Sequence, residues 1–483
     1  MSKLSKLLNN KIIIYITSRY AVYGLQFITS MVVAGKLGPF YMGIYGFLQM
    51  ILMYLTHINF GIPNSLNVLL VHNKDNEELS DSYIGNSLLI ISGLSLLVGL
   101  FYLCYIIFGI ASFERYQVDK YIIWICLVGI LQYFNTLFQT VVRIKNKLRL
   151  LAFLQSQTIL FNFVVVWYFT GETLITILVA NNVISNLVAI FLAYRHGCFP
   201  KPSNIHVRRD LLSEILKKGF FLFLYNSCFY FIVISVRTII SANYAIEEFG
   251  KFTFSYSVGN SLLLLSGAIS IIVFPKMIDK LSSKNIEEVN QVLTTVRVSY
   301  ISLTYFIVFL ALPFFPVLLH FLPKYRDAIF VLNLIALAVL INTNSFGYST
   351  LLIAQNKEKY SAIISILSLI INIGLGLLLV KVVHVGYGMV ILSIMFTYLF
   401  FTLASTYVGT RIIGQYSLKR VLSDTFPIRL LIPFLAAVLL SVYEKEAIIF
   451  VPLLLYVLLN SKDIIVIVNY IKRMVSNQNL TDL

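Results

Sequence analysis

The chain has 483 residues, 59% of them hydrophobic and 12% charged, with a mean hydropathy of +0.86. Soluble domains are about 25% charged, so this composition excludes a water-soluble enzyme. The formal charge of +16, from 37 Lys plus Arg against 21 Asp plus Glu, would suggest nucleic acid in a soluble chain; in a lipid-dissolved one the position of each cation decides its meaning.

Apolar runs recur along the chain, each long enough at about 1.5 Å per residue to cross roughly 30 Å of hydrocarbon. In chain order the expected spans are 12–34, 40–60, 83–110, 121–142, 151–169, 173–194, 219–241, 252–275, 298–319, 328–353, 361–380, 386–409, 428–443 and 447–460. Runs such as Ile122 to Val142 and Phe306 to Leu319 are apolar all round, which excludes the alternating strands of a membrane barrel. The first run, Lys11 to Val33, exceeds the roughly 7 to 15 residues of a secretory signal core and reads as an uncleaved first span. The expected fold class is an all-α polytopic membrane protein of about fourteen transmembrane helices.

Cytoplasmic connections are enriched in Lys and Arg, which tests that count. Alternating the connections puts about 27 cations on the side of the amino terminus and about 8 opposite, with Arg19 and Arg237 inside spans. The basic excess is therefore a topology signal, with both termini cytoplasmic and no nucleic-acid partner. One inner connection, His72 to Asp81, is acidic and carries only Lys74. The remaining connections are too short for a soluble domain. Asp463 to Val475 alternates apolar and charged residues and reads either as a surface-lying segment or as an extension of the last span. Cys104, Cys126, Cys198 and Cys228 show no metal-binding spacing and read as small core residues.

Leu37 to Phe47 aligns without gaps to Tyr244 to Phe254, sharing Gly-x-aromatic-x-Phe at an offset of 207 residues. Each copy opens the second span of a six-span half. The expected division is 1–200 and 201–415 for two six-helix bundles, then 416–483 for the last two spans and a tail.

Ionisable groups inside spans cost about 2.5 to 3.5 kcal/mol on insertion scales and are functional candidates by default. Arg19 shares a helical face with Tyr23, Gln26 and Ser30, and Arg237 with Asn226, Tyr230 and Ser241. Further stripes are Gln132, Asn135, Gln139 and Arg143, and Ser361, Ser365, Ser368 and Asn372. Such stripes either line a hydrated cavity or hold helices together by hydrogen bonds. Arginine favours phosphate through paired charge-assisted bonds, so a cationic cavity around Arg19, Tyr23, Gln26, Asn135, Tyr230 and Arg237 suits an anionic passenger. His57, close to Asn59, is the mid-span group that titrates near neutral pH; it reads as a packing residue or as a proton-coupling one. No Asp or Glu lies deep in a span, and no catalytic or metal-ligating constellation is evident around His196, His206, His320 or His384. No cofactor is expected.

Lys36-Leu-Gly-Pro-Phe-Tyr-Met-Gly-Ile-Tyr45 followed by Asn59-Phe-Gly-Ile62 resembles the opening of the polysaccharide transporter family, the Wzx-type flippases of lipid-linked oligosaccharides. Ile272 to Lys276, Phe321 to Ala328, Ala354 to Tyr360 and Gly386 to Gly388 resemble that family's later landmarks in order, so the likeness covers essentially the whole chain. It implies two six-helix bundles around a central cavity, two further helices, and alternating access. It also implies a bacterial inner-membrane, non-enzymatic flippase that moves an undecaprenyl-diphosphate-linked repeat unit to the outer leaflet for O-antigen, capsule or exopolysaccharide. The resemblance further implies a polysaccharide polymerase and a chain-length regulator as partners and coupling to a proton or sodium gradient. Family members often carry Asp where this chain has Asn59, which leaves cation coupling at that position in doubt. The alternatives are a cation-coupled multidrug exporter of the same superfamily, a flippase of the peptidoglycan precursor lipid II, and a membrane-bound sugar transferase or polymerase.

Overall fold

The computed structural model describes residues 11–73, 76–109, 114–283, 285–443, 445 and 448–464, with the backbone alone for 11–17, 221–222, 263–276 and 279. Among the described residues every regular element is a helix, the only open-ended element whose backbone groups are satisfied internally in lipid. By packing, the chain divides into two compact units, Met1–Gly250 and Lys251–Leu483.

The first unit opens with α1 (Lys11–His57), whose 47 residues would run about 70 Å if straight. Gly38 breaks it with φ 66° and ψ 172°, just before Pro39, at the boundary between the first two expected spans. The second of these ends at His57 rather than residue 60, and α2 (Ile62–His72) resumes after Phe60 and Gly61, both at positive φ. Then come α3 (Glu77–Phe108), α4 (Ile122–Ile144), α5 (Leu148–Val165), α6 (Gly171–Arg195), α7 (Arg209–Asn243) and the start of α8 (Ile246–Leu281). The first unit thus contains α7.

The acidic connection, expected on the inner side, is helical from Glu77 onward. The Asn76 side chain caps it by accepting from the Leu79 amide at 3.0 Å, and Glu77 and Glu78 sit at the positive end of its dipole. Its carboxylates face the basic segment 197–208: Lys201 Nζ lies 3.1 Å from Glu77 and His206 Nε2 3.4 Å from Glu78. Buried Asp81 accepts from the Lys201 amide at 3.2 Å and from Asn204 Nδ2 at 3.0 Å. Lys145 Nζ donates to the Gly197 carbonyl at 2.7 Å and Lys147 to that of His196. Residues 76–86, 143–149 and 195–208 therefore share one end of the unit, and the exception in the charge pattern is an internal ion-pairing surface. Beside it, ahead of the apolar part of α7 at Phe223–Asn243, the Tyr83 hydroxyl and the Lys218 ammonium hold the Glu214 carboxyl below its usual range.

The second unit continues with α9 (Ile286–Ala311), α10 (Phe314–His320), α11 (Ile329–Thr343), α12 (Tyr348–Ala354), α13 (Glu358–Lys381), α14 (Ile391–Ile412), α15 (Leu418–Thr425), α16 (Ile428–Val442) and α17 (Val451–Leu459). Two expected spans are broken here. Span 298–319 divides at Leu312 and Pro313 between α9 and α10, where proline removes an amide donor. Span 328–353 divides at Asn344 to Gly347, where Gly347 has φ 89°. The Ser361, Ser365, Ser368 and Asn372 stripe is fully packed, with each residue 0 to 2% exposed.

By length and apolarity ten helices among the described residues can cross a membrane, or eleven if α15 and α16, bent by 50°, form one span. The difference from fourteen lies in α1, counted once across Gly38, in α8, whose central side chains are outside the described set, and in α17, which has nine residues. This is a multi-pass helical membrane protein. In the tail expected at Asp463 to Val475, residues 465–475 lie outside the described residues.

Candidate functional site

The break at residues 58–61 organises the polar centre of the first unit. Ending a helix frees carbonyl oxygens from their amide partners, and here side chains take them. Tyr133 of α4 donates to the Leu55 carbonyl, Asn59 Nδ2 to that of Thr56 at 3.1 Å, and Ser227 Oγ of α7 to that of His57 at 3.1 Å. Asn59 Oδ1 also accepts the Gly61 amide at 2.9 Å, an Asx turn that sets the chain up for α2. Gly61 is needed twice over: its φ is 70°, and a Cβ there would lie 2.8 Å from Phe223 Cβ and 2.9 Å from the Gly219 carbonyl oxygen.

His57 stands at this break. Its ring lies 4.2 Å from that of Tyr230, and Nδ1 lies 2.8 Å from the Met53 carbonyl oxygen. A carbonyl only accepts, so Nδ1 carries the proton and Nε2 holds the lone pair. The structure therefore brings the sequence-selected Tyr230, half exposed, against His57, two residues before Asn59.

The two intramembrane arginines have different surroundings. Arg237 is 3% exposed and donates from Nη2 to the Gly46 carbonyl at 2.7 Å and from Nη1 toward Met53 Sδ at 3.3 Å. Phe249 faces it at 5.9 Å. It holds α7 against the second half of α1, assisted by Tyr54 and Thr238, whose hydroxyls are 2.8 Å apart. Arg19 is partly buried near the start of α1. It donates from Nη2 to the Tyr23 hydroxyl at 2.7 Å and lies 4.8 Å from that ring's centre. Its buried Nε has no hydrogen-bond partner, and no carboxylate pairs with it among the described residues. Gln26, two turns on, is partly buried.

Asn135 belongs to an interhelical chain. Gln155 Nε2 of α5 donates to Gln139 Oε1 at 3.1 Å, Gln139 Nε2 to Asn135 Oδ1 at 3.2 Å, and Asn135 Nδ2 to Asn186 Oδ1 of α6 at 2.8 Å. Of the two readings of the α4 stripe, these bonds follow the one that joins helices.

Sequence reading did not single out Tyr133 of α4 or Ser227 and Gly219 of α7, which complete the break between α1 and α2, or the buried Arg297 of the second unit. The expected span bounds leave Arg297 in the connection before 298–319, yet it is 6% exposed and donates to the Asn344 carbonyl at 2.9 Å. The signal available was Asn344-Ser-Phe-Gly347 interrupting an apolar run.

Comparisons with known proteins agree on the class. The family model described as polysaccharide biosynthesis protein matches residues 8–280, more than half of the chain. No curated relative matches. Among solved structures, a lipid II flippase MurJ in an inward closed conformation is similar at a TM-score of 0.69 with 15% identity, over 95% of this chain and 100% of that one. An inward-facing multidrug resistance MATE transporter of the MOP superfamily is similar at 0.66 with 12% identity, over 83% and 98%. A MOP-superfamily transporter from Pyrococcus furiosus Vc1 (DSM3638) is similar at 0.53 with 13% identity, over 83% and 94%. At these identities the likeness establishes the fold: helical, of the MATE and MurJ type.

Proposed function

The chain belongs to the polysaccharide biosynthesis protein family, and from that premise we propose that it is a flippase of undecaprenyl-diphosphate-linked oligosaccharide repeat units. It moves them from the cytoplasmic to the outer leaflet of a bacterial inner membrane by alternating access, with 1–200 and 201–415 as the moving bundles, and it feeds a polysaccharide polymerase. The observation that carries the reading is Arg19, a partly buried guanidinium with an unsatisfied Nε and no carboxylate partner among the described residues. A diphosphate supplies the missing acceptors through charge-assisted hydrogen bonds. Tyr23 steadies the guanidinium, and Gln26 and Tyr230 offer amide, hydroxyl and ring surfaces for sugars, while Asn135 serves the site by joining α4 to α6. Arg237 keeps the helices in register and adds positive potential. His57 and Asn59 at the break are the coupling candidates, with Nε2 of His57 the proton acceptor.

The fold of the lipid II flippase MurJ favours a second reading, a peptidoglycan-precursor cargo, whose diphosphate would meet the same arginine. A multidrug exporter fits less well, since no Asp or Glu lies deep in an expected span to attract a cationic drug. A strain lacking the protein separates these readings. Loss of surface polymer with accumulated complete lipid-linked repeat units, restored by the intact gene, is the expected result. Accumulated lipid II would favour the second reading, and normal polymer with no accumulation, in the absence of a redundant transporter, would overturn both.

A further inference from the structure

The second unit holds a cleft of about 370 Å3 between α9 and the bent α15–α16 pair, walled by Leu293, Ile301 and Leu430 and bordered by Arg297, Arg420 and Arg429. Arg297 spends its guanidinium on three carbonyl oxygens, those of Asn344 at 2.9 Å, Phe346 at 2.5 Å and Asp424 at 2.6 Å. Its charge therefore meets no carboxylate directly. The Asp424 carboxylate instead accepts from the Tyr348 hydroxyl at 2.5 Å and from Arg420 Nε at 3.4 Å. Arg429 pairs with Asp463 at 2.9 Å and remains 42% exposed. Among the described residues three guanidinium groups thus meet two carboxylates, which leaves a positive charge over in a partly apolar cleft.

Two further features select the ligand. The volume is at the small end of ligand pockets, about 300 to 1,000 Å3, with room for a phosphate and a glycerol but not for several sugars. From the cleft's edge at Pro427, α16 presents Ile428, Ile432, Leu435 and Leu439 outward, 74, 44, 49 and 57% exposed. Their i, i+4, i+7, i+11 spacing makes one continuous apolar stripe. A polar cationic cleft at the foot of an apolar stripe matches an amphiphile better than a free anion.

We infer that this cleft binds the headgroup of an anionic phospholipid, its phosphate between Arg420 and Arg429 and its acyl chains along α16. The bound lipid ties α9 to the α15–α16 pair. This site and its ligand are separate from the transported cargo and do not depend on the proposed function.

The test is thermal unfolding and native mass spectrometry of the full chain in detergent, with added phosphatidylglycerol, phosphatidylcholine or inorganic phosphate. Phosphatidylglycerol should bind and raise the unfolding temperature, and the other two should not. Arg429→Gln should bind phosphatidylglycerol about tenfold more weakly, the loss of one charge-assisted hydrogen bond. Thr294, exposed on α9 at the cleft, provides a variant that spares the arginines: Thr294→Trp should fill the cleft and abolish the phosphatidylglycerol increment, with unfolding in phosphatidylcholine unchanged. Equal increments from both lipids, an increment from inorganic phosphate as large as from phosphatidylglycerol, or a full increment in Thr294→Trp would each overturn the assignment. If Arg429→Gln fails to fold, Thr294→Trp decides alone.

Discussion

Gly43 and Gly250, equivalent positions of the internal repeat, face each other across α1 and α8: a Cβ on Gly250 would lie 2.8 Å from the Gly43 amide nitrogen. The repeat therefore meets itself at its shared glycine, where two backbones approach as closely as small residues permit. Alanine at either position forces the helices apart, at a cost of about 1 to 3 kcal/mol. Gly24, where an added methyl would meet nothing within 4 Å, is the control, and its Ala variant should be neutral or slightly stabilising. Thermal unfolding of the three purified variants checks the contrast; equal behaviour at all three would remove the close approach.

Arg19 separates charge from shape. Arg19→Ala should abolish polymer export at normal protein level, and Arg19→Lys should rescue it partly, because an ammonium keeps the charge but loses the planar fork that binds phosphate oxygens in pairs. Unchanged surface polysaccharide in Arg19→Ala would take this residue out of the mechanism.

At position 57 the Nδ1–H···O bond to Met53 is structural, while Nε2 is the atom that can take a proton. His57→Asn places an amide donor near Nδ1 and removes the titrating nitrogen. The variant should fold like the wild type, and its transport in proteoliposomes should lose its dependence on pH between about 5 and 8. A retained pH profile would leave His57 as a packing residue against Tyr230.

The turn at Asn59 makes two hydrogen bonds of different kinds, so two substitutions resolve them. Asn59→Asp keeps the acceptor for the Gly61 amide and loses the donor to Thr56, whereas Asn59→Ala loses both. Expected costs are about 1 kcal/mol for a missing bond and up to about 3 where a buried group is left unsatisfied, ordered Asp before Ala in thermal unfolding.

Acid dependence follows from Glu214. Its folded pKa lies below the ordinary 4.5, chiefly through the Tyr83 hydroxyl and then Lys218, so its contribution is present above that value and is lost as pH falls through the lower folded one. Glu214→Gln should flatten the stability profile below pH 4.5 and leave it unchanged at neutral pH apart from a uniform offset. An unchanged acid limb would assign that limb to other carboxylates.

Which parts of this were readable beforehand follows from how each property is built. Membrane residence, helical class and the Leu37-Gly-Pro39 break are sums or local patterns: hydropathy adds residue by residue, and proline and glycine act on their own backbone. The acidic connection before α3 was legible as an anomaly, but its partners at Lys201 and His206 were not, since they lie over a hundred positions away. The polar stripes were legible too, and the α4 stripe, Arg237 and Arg19 then met different fates. Asn135 joined a chain across three helices, and Arg237 found the Gly46 carbonyl 191 residues away. Arg19 found the Tyr23 hydroxyl one turn away on its own helix. Composition determined that buried cations would need acceptors; only the packing of the helices decided which acceptors came within reach of each, because a hydrogen bond depends on where two groups end up and not on how far apart they stand in the chain.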